Sequence, residues 1–264
     1  MSQMAVDGFR AERETILTVA KSLSDEEWNQ PSDCKGWAIR DVFGHMACTL
    51  HGVVDPAFLP DTSSGTEDAM EPPVAERRTW PIADVIAEYE TYSEAAAAVF
   101  ESVQAEGIAE APINMGELGT HNMSILPSTF LFDAYTHLRH DMLAPTGSVA
   151  REVAPGDEQR LRPTLEWMLA GLPWMCEAAL AGKVDRPIVL VLDGPGGGTW
   201  TIGPGGDDGR VLVTEGAAPA AATVRSTDHD FVVWGTQRRP WRDTTEIEGD
   251  EAYAAPILDA IKII

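Results

Sequence analysis

Phe130-Leu131-Phe132-Asp133-Ala134-Tyr135-Thr136-His137-Leu138-Arg139-His140-Asp141-Met142 carries two signals at once, an apolar stripe and a polar line beside it. Leu131, Tyr135, Leu138 and Met142 recur at helical spacing and make the stripe. Asp133 and His137, four residues apart, project from a neighbouring face, and His140 or Asp141 continues their line. Pro127 and Ser128 open this helix, and its pattern runs to about Leu143. A carboxylate and an imidazole one turn apart can grip one divalent ion, and bundle interiors are where such sites are built. On its own Asp-x-x-x-His is a weak signal, which an ordinary buried ion pair or helix-surface pair also produces. Two ligands are too few for a tight site. A third has to come from another helix, and His45 is the natural candidate.

The rest of the N-terminal half supplies partners for that helix. Val6, Phe9, Arg13, Ile16, Leu17, Ala20 and Leu23 predict a first helix over residues 4–23. Ser24, with Glu27 three residues on, forms a capping box for one short turn ending near Trp28. Pro31, Ser32 and Gly36 break the chain before a second helix, which starts at Trp37, includes Ile39, Val42, Phe43 and Met46, and carries His45. Residues 55–79 are rich in Pro, Ser, Glu and Asp and read as a long loop with little core. Pro81 then opens the cleanest amphipathic stripe: Ile82, Val85, Ile86, Tyr89, Tyr92, Ala96, Val99, Phe100 and Val103, stopped by Gly107. Four helices with one long connection make a four-helix bundle.

Pro145-Thr146-Gly147 and Pro155-Gly156 mark a boundary, so the expected domains are residues 1–150 and 151–264. Beyond it one helix, about residues 158–181, leads into strand-like runs at 188–192, 199–202, 211–214 and 222–225. Thr227, with Asp228 and Asp230, caps a helix through Trp234, and a last helix spans about 250–261. Helices against a small, largely antiparallel sheet make this half α+β. Asp193-Gly-Pro-Gly-Gly-Gly lacks the lysine and hydroxyl of a phosphate loop and reads as turn.

Composition narrows the function. The 264 residues are 44% apolar, which suits globular domains that fold without cross-links. Three widely spaced cysteines, Cys34, Cys48 and Cys176, argue for a reducing compartment. With no signal-like N-terminus and no apolar run of about 20 residues, the expectation is a cytoplasmic protein. A net charge of −23 disfavours nucleic acid and anionic membranes as partners. Cys34 reads as a packing residue in its turn, and Cys48 could join a metal only if the ligand set were rebuilt. His51, His121 and His229 have no spacing that recommends them.

Trp28-Asn-Gln-Pro31-Ser32-Asp-Cys34-Lys-Gly36-Trp37-Ala-Ile-Arg40-Asp41-Val-Phe-Gly-His45 resembles the opening signature of the mycothiol-dependent maleylpyruvate isomerase family, within the wider DinB-like helical bundles. In that pattern the final histidine binds metal. The resemblance implies an acidic residue and a histidine four apart as the other ligands, which map onto Asp133 and His137. Family members use glutamate where Asp133 stands, so this helix must sit closer to the metal or a water must intervene. Their His-x-x-Asp continuation reads here as His137-Leu-Arg-His140-Asp141, a different spacing. Gly197-Gly-Thr-Trp200-Thr, Phe231-Val-Val-Trp234-Gly-Thr-Gln-Arg238 and Glu248-Gly-Asp250 resemble the family's sterol-carrier-like domain.

The resemblance implies a divalent ion, zinc first, on His45, Asp133 and His137 with an open position for a low-molecular-weight thiol such as mycothiol. It marks Arg238 as a residue for anionic substrate, suited to forked carboxylate recognition. A surface pairing of that arginine with Asp243 or Glu246 is the plainer alternative. Asp41, one turn before His45, is a candidate to orient that histidine. The expected activity is isomerase or S-transferase chemistry on a small electrophilic, anionic substrate. The rival is a non-catalytic protein that binds metal and a small apolar ligand.

Overall fold

The computed structural model describes residues 2–58, 65–205 and 209–264. They form two compact units: the residues up to Gly116 with Asn122–Pro155, and Glu117–His121 with Gly156–Ile264.

The first unit is helical. α1 (Ser2–Ala20), α2 (Asp25–Trp28), α3 (Ile39–Val54), α4 (Thr66–Arg77), α5 (Ile82–Ser102) and α6 (Leu126–Thr136) follow in order. Short strands β1 (Pro112–Asn114) and β2 (Thr120–Asn122) lie between the last two. α3 packs along α5, and α1 along α5 and α6. Phe9, Ile16, Ile39, Phe43, Tyr89, Phe100, Leu131 and Leu138 are fully buried between them. Each such side chain contributes about 1.5–3 kcal/mol by leaving water. The Phe9 and Phe100 rings meet edge to face at 5.0 Å, and Phe43 lies against both Trp28 and Tyr89.

Local signals explain the helix ends. Ser24 and Glu27 form the expected capping box on α2. The carboxylate of Asp41 accepts the Ala38 N–H at 2.9 Å and so caps α3. After α6 the backbone widens into a π turn over His137–Met142, where Leu143 N–H reaches the Leu138 carbonyl at 3.1 Å.

One expectation needs correcting. Within residues 55–79, read as a loop, residues 66–77 are helical despite Pro72 and Pro73. Met70 and Val74, four apart, are buried beside Cys48, and that contact outweighs the two lost backbone bonds. Residues 59–64 of the same stretch lie outside the described residues.

The second unit is α+β. α7 (Glu158–Met175) and α8 (Glu177–Leu180) precede β3 (Ile188–Asp193), β4 (Gly198–Gly203), β5 (Leu212–Glu215) and β6 (Ala222–Thr227). α9 (Asp228–Gly235), β7 (Glu246–Gly249) and α10 (Glu251–Leu258) complete it. The sheet order is β5-β4-β3-β6-β7. Among the described residues of this sheet only the β3–β6 pair is parallel, with Leu190 level with Val224 on one side and Trp200 on the other. β7 escaped the sequence reading because only Ile247 of its four residues is even partly buried, as an edge strand permits. The glycine-rich stretch is indeed a turn. Asp228 accepts the Gly196 N–H at 2.8 Å, and a Cβ on Gly194 would lie 2.2 Å from that carboxylate.

Candidate metal centre

His45 stands in the middle of α3, a helix that Val42, Phe43 and Met46 anchor in the core. α6 presents Asp133, and His137 follows as the first residue of the π turn. The three side chains meet. The Oδ1 of Asp133 lies 3.1 Å from His45 Nε2 and 3.3 Å from His137 Nε2. The two imidazole rings stand edge to face with centroids 4.9 Å apart. One ligand atom from each residue falls within 4.8 Å of the others. Asp133 thus reaches both imidazoles directly.

The electrostatics fit a cation. Burial alone would raise the Asp133 carboxyl, yet the imidazoles of His137 and then His45 hold it well below the usual carboxylate range. Burial alone would likewise lower His137. The Asp133 carboxylate first, with hydrogen bonds to Asp133, Asp141 and Cys34, raises it well above 6.5. Two imidazoles and a carboxylate point at one spot, and the raised His137 offsets the Asp133 carboxylate there. A divalent cation answers the same field with these nitrogen and oxygen donors.

The surroundings sort the remaining candidates. His137 uses its other ring nitrogen, Nδ1, to meet Asp141 Oδ2 at 2.6 Å. Cys34 Sγ lies 3.9 Å from that same Nδ1, behind the ring and away from Asp133. Cys34, His137 and Asp141 thus form a second group with metal-ligating atoms, sharing His137 through its far nitrogen. Asp41, expected to orient His45, instead caps α3 and accepts from Arg78 Nε at 2.9 Å. His140 is buried next to the Tyr135 ring. Cys48 donates to the His45 carbonyl at 3.2 Å, and burial pushes its thiol up to about 12, far from a thiolate ligand. Trp37 flanks the centre with its ring 5.6 Å from that of His45, and its Nε1 is held by Glu71 of α4 at 2.8 Å.

A buried cluster passed over in the sequence is His51 with Glu88 and Arg77. His51 Nδ1 meets Glu88 Oε1 at 2.8 Å, and its ring is stacked between Phe58 and Tyr92. Arg77 Nε donates to Glu88 Oε2 at 2.7 Å. No motif spacing links these residues, which come from three helices. In the second unit Gln237 adopts a left-handed φ of 57° after α9, and Arg238 N–H then bonds the Val233 carbonyl at 3.0 Å. Arg238 is half-buried. Its neighbour Arg242 is committed to Asp259 at 2.7 and 3.1 Å.

Among the described residues no helix is long and apolar enough to cross a membrane. A family model described as the mycothiol maleylpyruvate isomerase N-terminal domain matches residues 9–122, a little under half of the chain. That stretch includes His45 and ends before Asp133 and His137. A crystal structure of the mycothiol-dependent maleylpyruvate isomerase has a similar fold, with a TM-score of 0.56 at 15% identity, covering 94% of this chain and 93% of that one. A histidine-to-alanine mutant of that isomerase matches over the same shares, with a TM-score of 0.52 and 15% identity. No curated protein sequence matches the chain. The fold is a helical domain followed by an α+β domain, as in those structures. Residues 9–122 are thus similar to the N-terminal domain of the mycothiol maleylpyruvate isomerases.

Proposed function

We propose that this chain is a metal-dependent enzyme that uses a low-molecular-weight thiol, such as mycothiol, to isomerise or S-conjugate a small electrophilic, anionic substrate. The observation that carries the reading is the convergence of His45 Nε2 and His137 Nε2 on one oxygen of Asp133, at 3.1 and 3.3 Å. The likeness of residues 9–122 to that family's N-terminal domain and the similar fold of the isomerase support the thiol and the reaction class. His45, Asp133 and His137 would hold a divalent ion, zinc first, with nickel and iron open because two imidazoles and a carboxylate suit several ions. When bound, such an ion lowers the pKa of a thiol and supplies thiolate at neutral pH.

The chain's own groups do the rest. Asp133 neutralises part of the charge and ties α6 to α3. The Trp37 ring lies beside His45, 5.6 Å from it. Arg238, by its resemblance to the family's arginine, recognises a carboxylate of the substrate.

Metal analysis of the purified chain tests the centre. About one divalent ion per chain is expected, and His137→Ala removes it; full occupancy in that variant defeats the assignment. Mycothiol is expected to raise the Tm of the metal-loaded protein and leave the metal-free protein nearly unmoved. Equal shifts in both forms favour a binding protein whose ligand sits elsewhere. Arg238→Ala is expected to keep the metal and weaken the use of anionic substrates.

A further inference from the structure

We propose that Asp141 is a positioning residue that fixes the tautomer and aim of His137, and so sets how tightly the centre holds its ion; this rests on the metal-binding reading above. The ring of His137 is held at both nitrogens. Nε2 faces Asp133 at 3.3 Å, and Nδ1 meets Asp141 Oδ2 at 2.6 Å, a short contact of the charge-assisted kind. An ionised carboxylate can only accept, so the proton of that bond sits on Nδ1 when the ring is neutral. Nε2 then keeps its lone pair, aimed at the place where Asp133 and His45 also point.

His45 has no such support. Its Nδ1 is buried and without a hydrogen-bond partner. Of the two imidazoles, only His137 is locked by a carboxylate, and a carboxylate behind a ligating imidazole also makes it a stronger donor. The lock is rigid because Asp141 is itself fixed. It is 1% exposed, and its carbonyl accepts the Asp33 N–H at 3.0 Å. The π turn that carries it is pinned on one side by the Arg139–Glu12 pair, at 2.9 and 3.0 Å. On the other side Val149 N–H bonds the Met142 carbonyl at 3.1 Å. Cys34 Sγ, 3.9 Å from Nδ1, is the only other side chain described at that nitrogen, and a thiol at that distance is a far weaker partner.

Zinc affinity of the full chain, measured by competition with a chromophoric chelator, tests this. Asp141→Ala is expected to weaken binding roughly 10–100-fold. Asp141→Asn keeps the shape and an acceptor oxygen but loses the charge, and is expected to weaken it several-fold. A purely structural role would lower the Tm of the metal-free protein and leave affinity unchanged in whatever remains folded. A proton NMR spectrum of the zinc-loaded protein adds a direct signature. The ring N–H of His137 is expected far downfield in the wild type and shifted upfield in Asp141→Asn, which serves even if the alanine variant fails to fold. Cys34→Ser is expected to change neither readout. Wild-type affinity and an unmoved resonance in Asp141→Asn overturn the proposal, as does a loss in Cys34→Ser equal to that in Asp141→Ala. Parallel measurement of His137→Ala separates the two readings. If it binds zinc like the wild type, the centre itself is misassigned; if it alone loses zinc, only the role of Asp141 falls.

Discussion

At Asp133 and His137 charge interactions win against burial, and that outcome has a pH signature. The raised pKa of His137 contributes stability to the metal-free protein that is fully present below 6.5 and lost as pH rises through the higher folded value. The depressed pKa of Asp133 contributes stability present above 3.8 and lost as pH falls below it. Metal-free wild type should therefore exceed metal-free Asp133→Asn in Tm by most between pH 3.8 and 6.5, with the gap shrinking at higher pH. A gap that widens from pH 6.5 to 9 would contradict the coupling. The Asp133–His137 pair was legible in the sequence because spacing on one helix fixes which side chains are neighbours. Asp141 was visible only as a continuation of that line, since spacing cannot tell it from His140. The structure separates them: Asp141 meets His137, and His140 lies by Tyr135. Asp41 shows the opposite failure. It sits one turn from His45, but the third position of a helix offers an acid a nearer partner in the N-cap amide.

The π turn is the element on which the centre depends, and one buried ion pair holds it. Glu12 on α1 is fully buried and Arg139 nearly so. The guanidinium is bound by both carboxylate oxygens and lies over the Tyr135 ring at 4.7 Å. Removing one partner leaves a buried charge alone, so Glu12→Ala is expected to cost about 3–5 kcal/mol in urea denaturation. Replacing both, as Glu12→Leu with Arg139→Met, should recover most of that loss. A double variant no more stable than the single one would mean that the pair does not act as a unit. Arg13, the next residue of α1 and turned to another side, shows why such pairs hide in a sequence: it bonds Ser93 at 2.7 Å, eighty residues away. The long stripes of α1, α5 and α6 were readable because apolar period alone sets them. α4 was not, because Pro72 and Pro73 outweighed the Met70–Val74 spacing in a reading that could not see Cys48. The widening at His137 left no mark at all, since apolar spacing runs through it unbroken to Met142.

For the whole molecule the organisation into two units remains a proposal about independent folding, and the chain's path makes it testable. The first unit's last side-chain ties are Arg151 to Glu27 at 2.8 Å and Arg139 to the Ala154 carbonyl at 2.7 Å. Residues 150–157 then run without helix or strand to the Asp157 cap of α7. A broad-specificity protease should cut first in 150–157, because cleavage needs a length of chain free of backbone pairing. A first cut within residues 82–102 would contradict the helical unit. The path has a second consequence. Glu117–His121 packs with the second unit although it comes earlier in the chain. Gly119, at φ 104°, lies so close to the Trp174 ring that a Cβ would sit 2.4 Å from it. The His121 ring stands 5.3 Å from that of Trp167. A fragment ending near residue 155 still carries that segment, so the nicked fragments are expected to leave a gel-filtration column together. Gly119→Ala forces both a strained φ and an overlap with the indole, and should loosen that association as well as lower the Tm. Nicked wild-type fragments that separate at once under native conditions would show that the segment contributes little to the second unit.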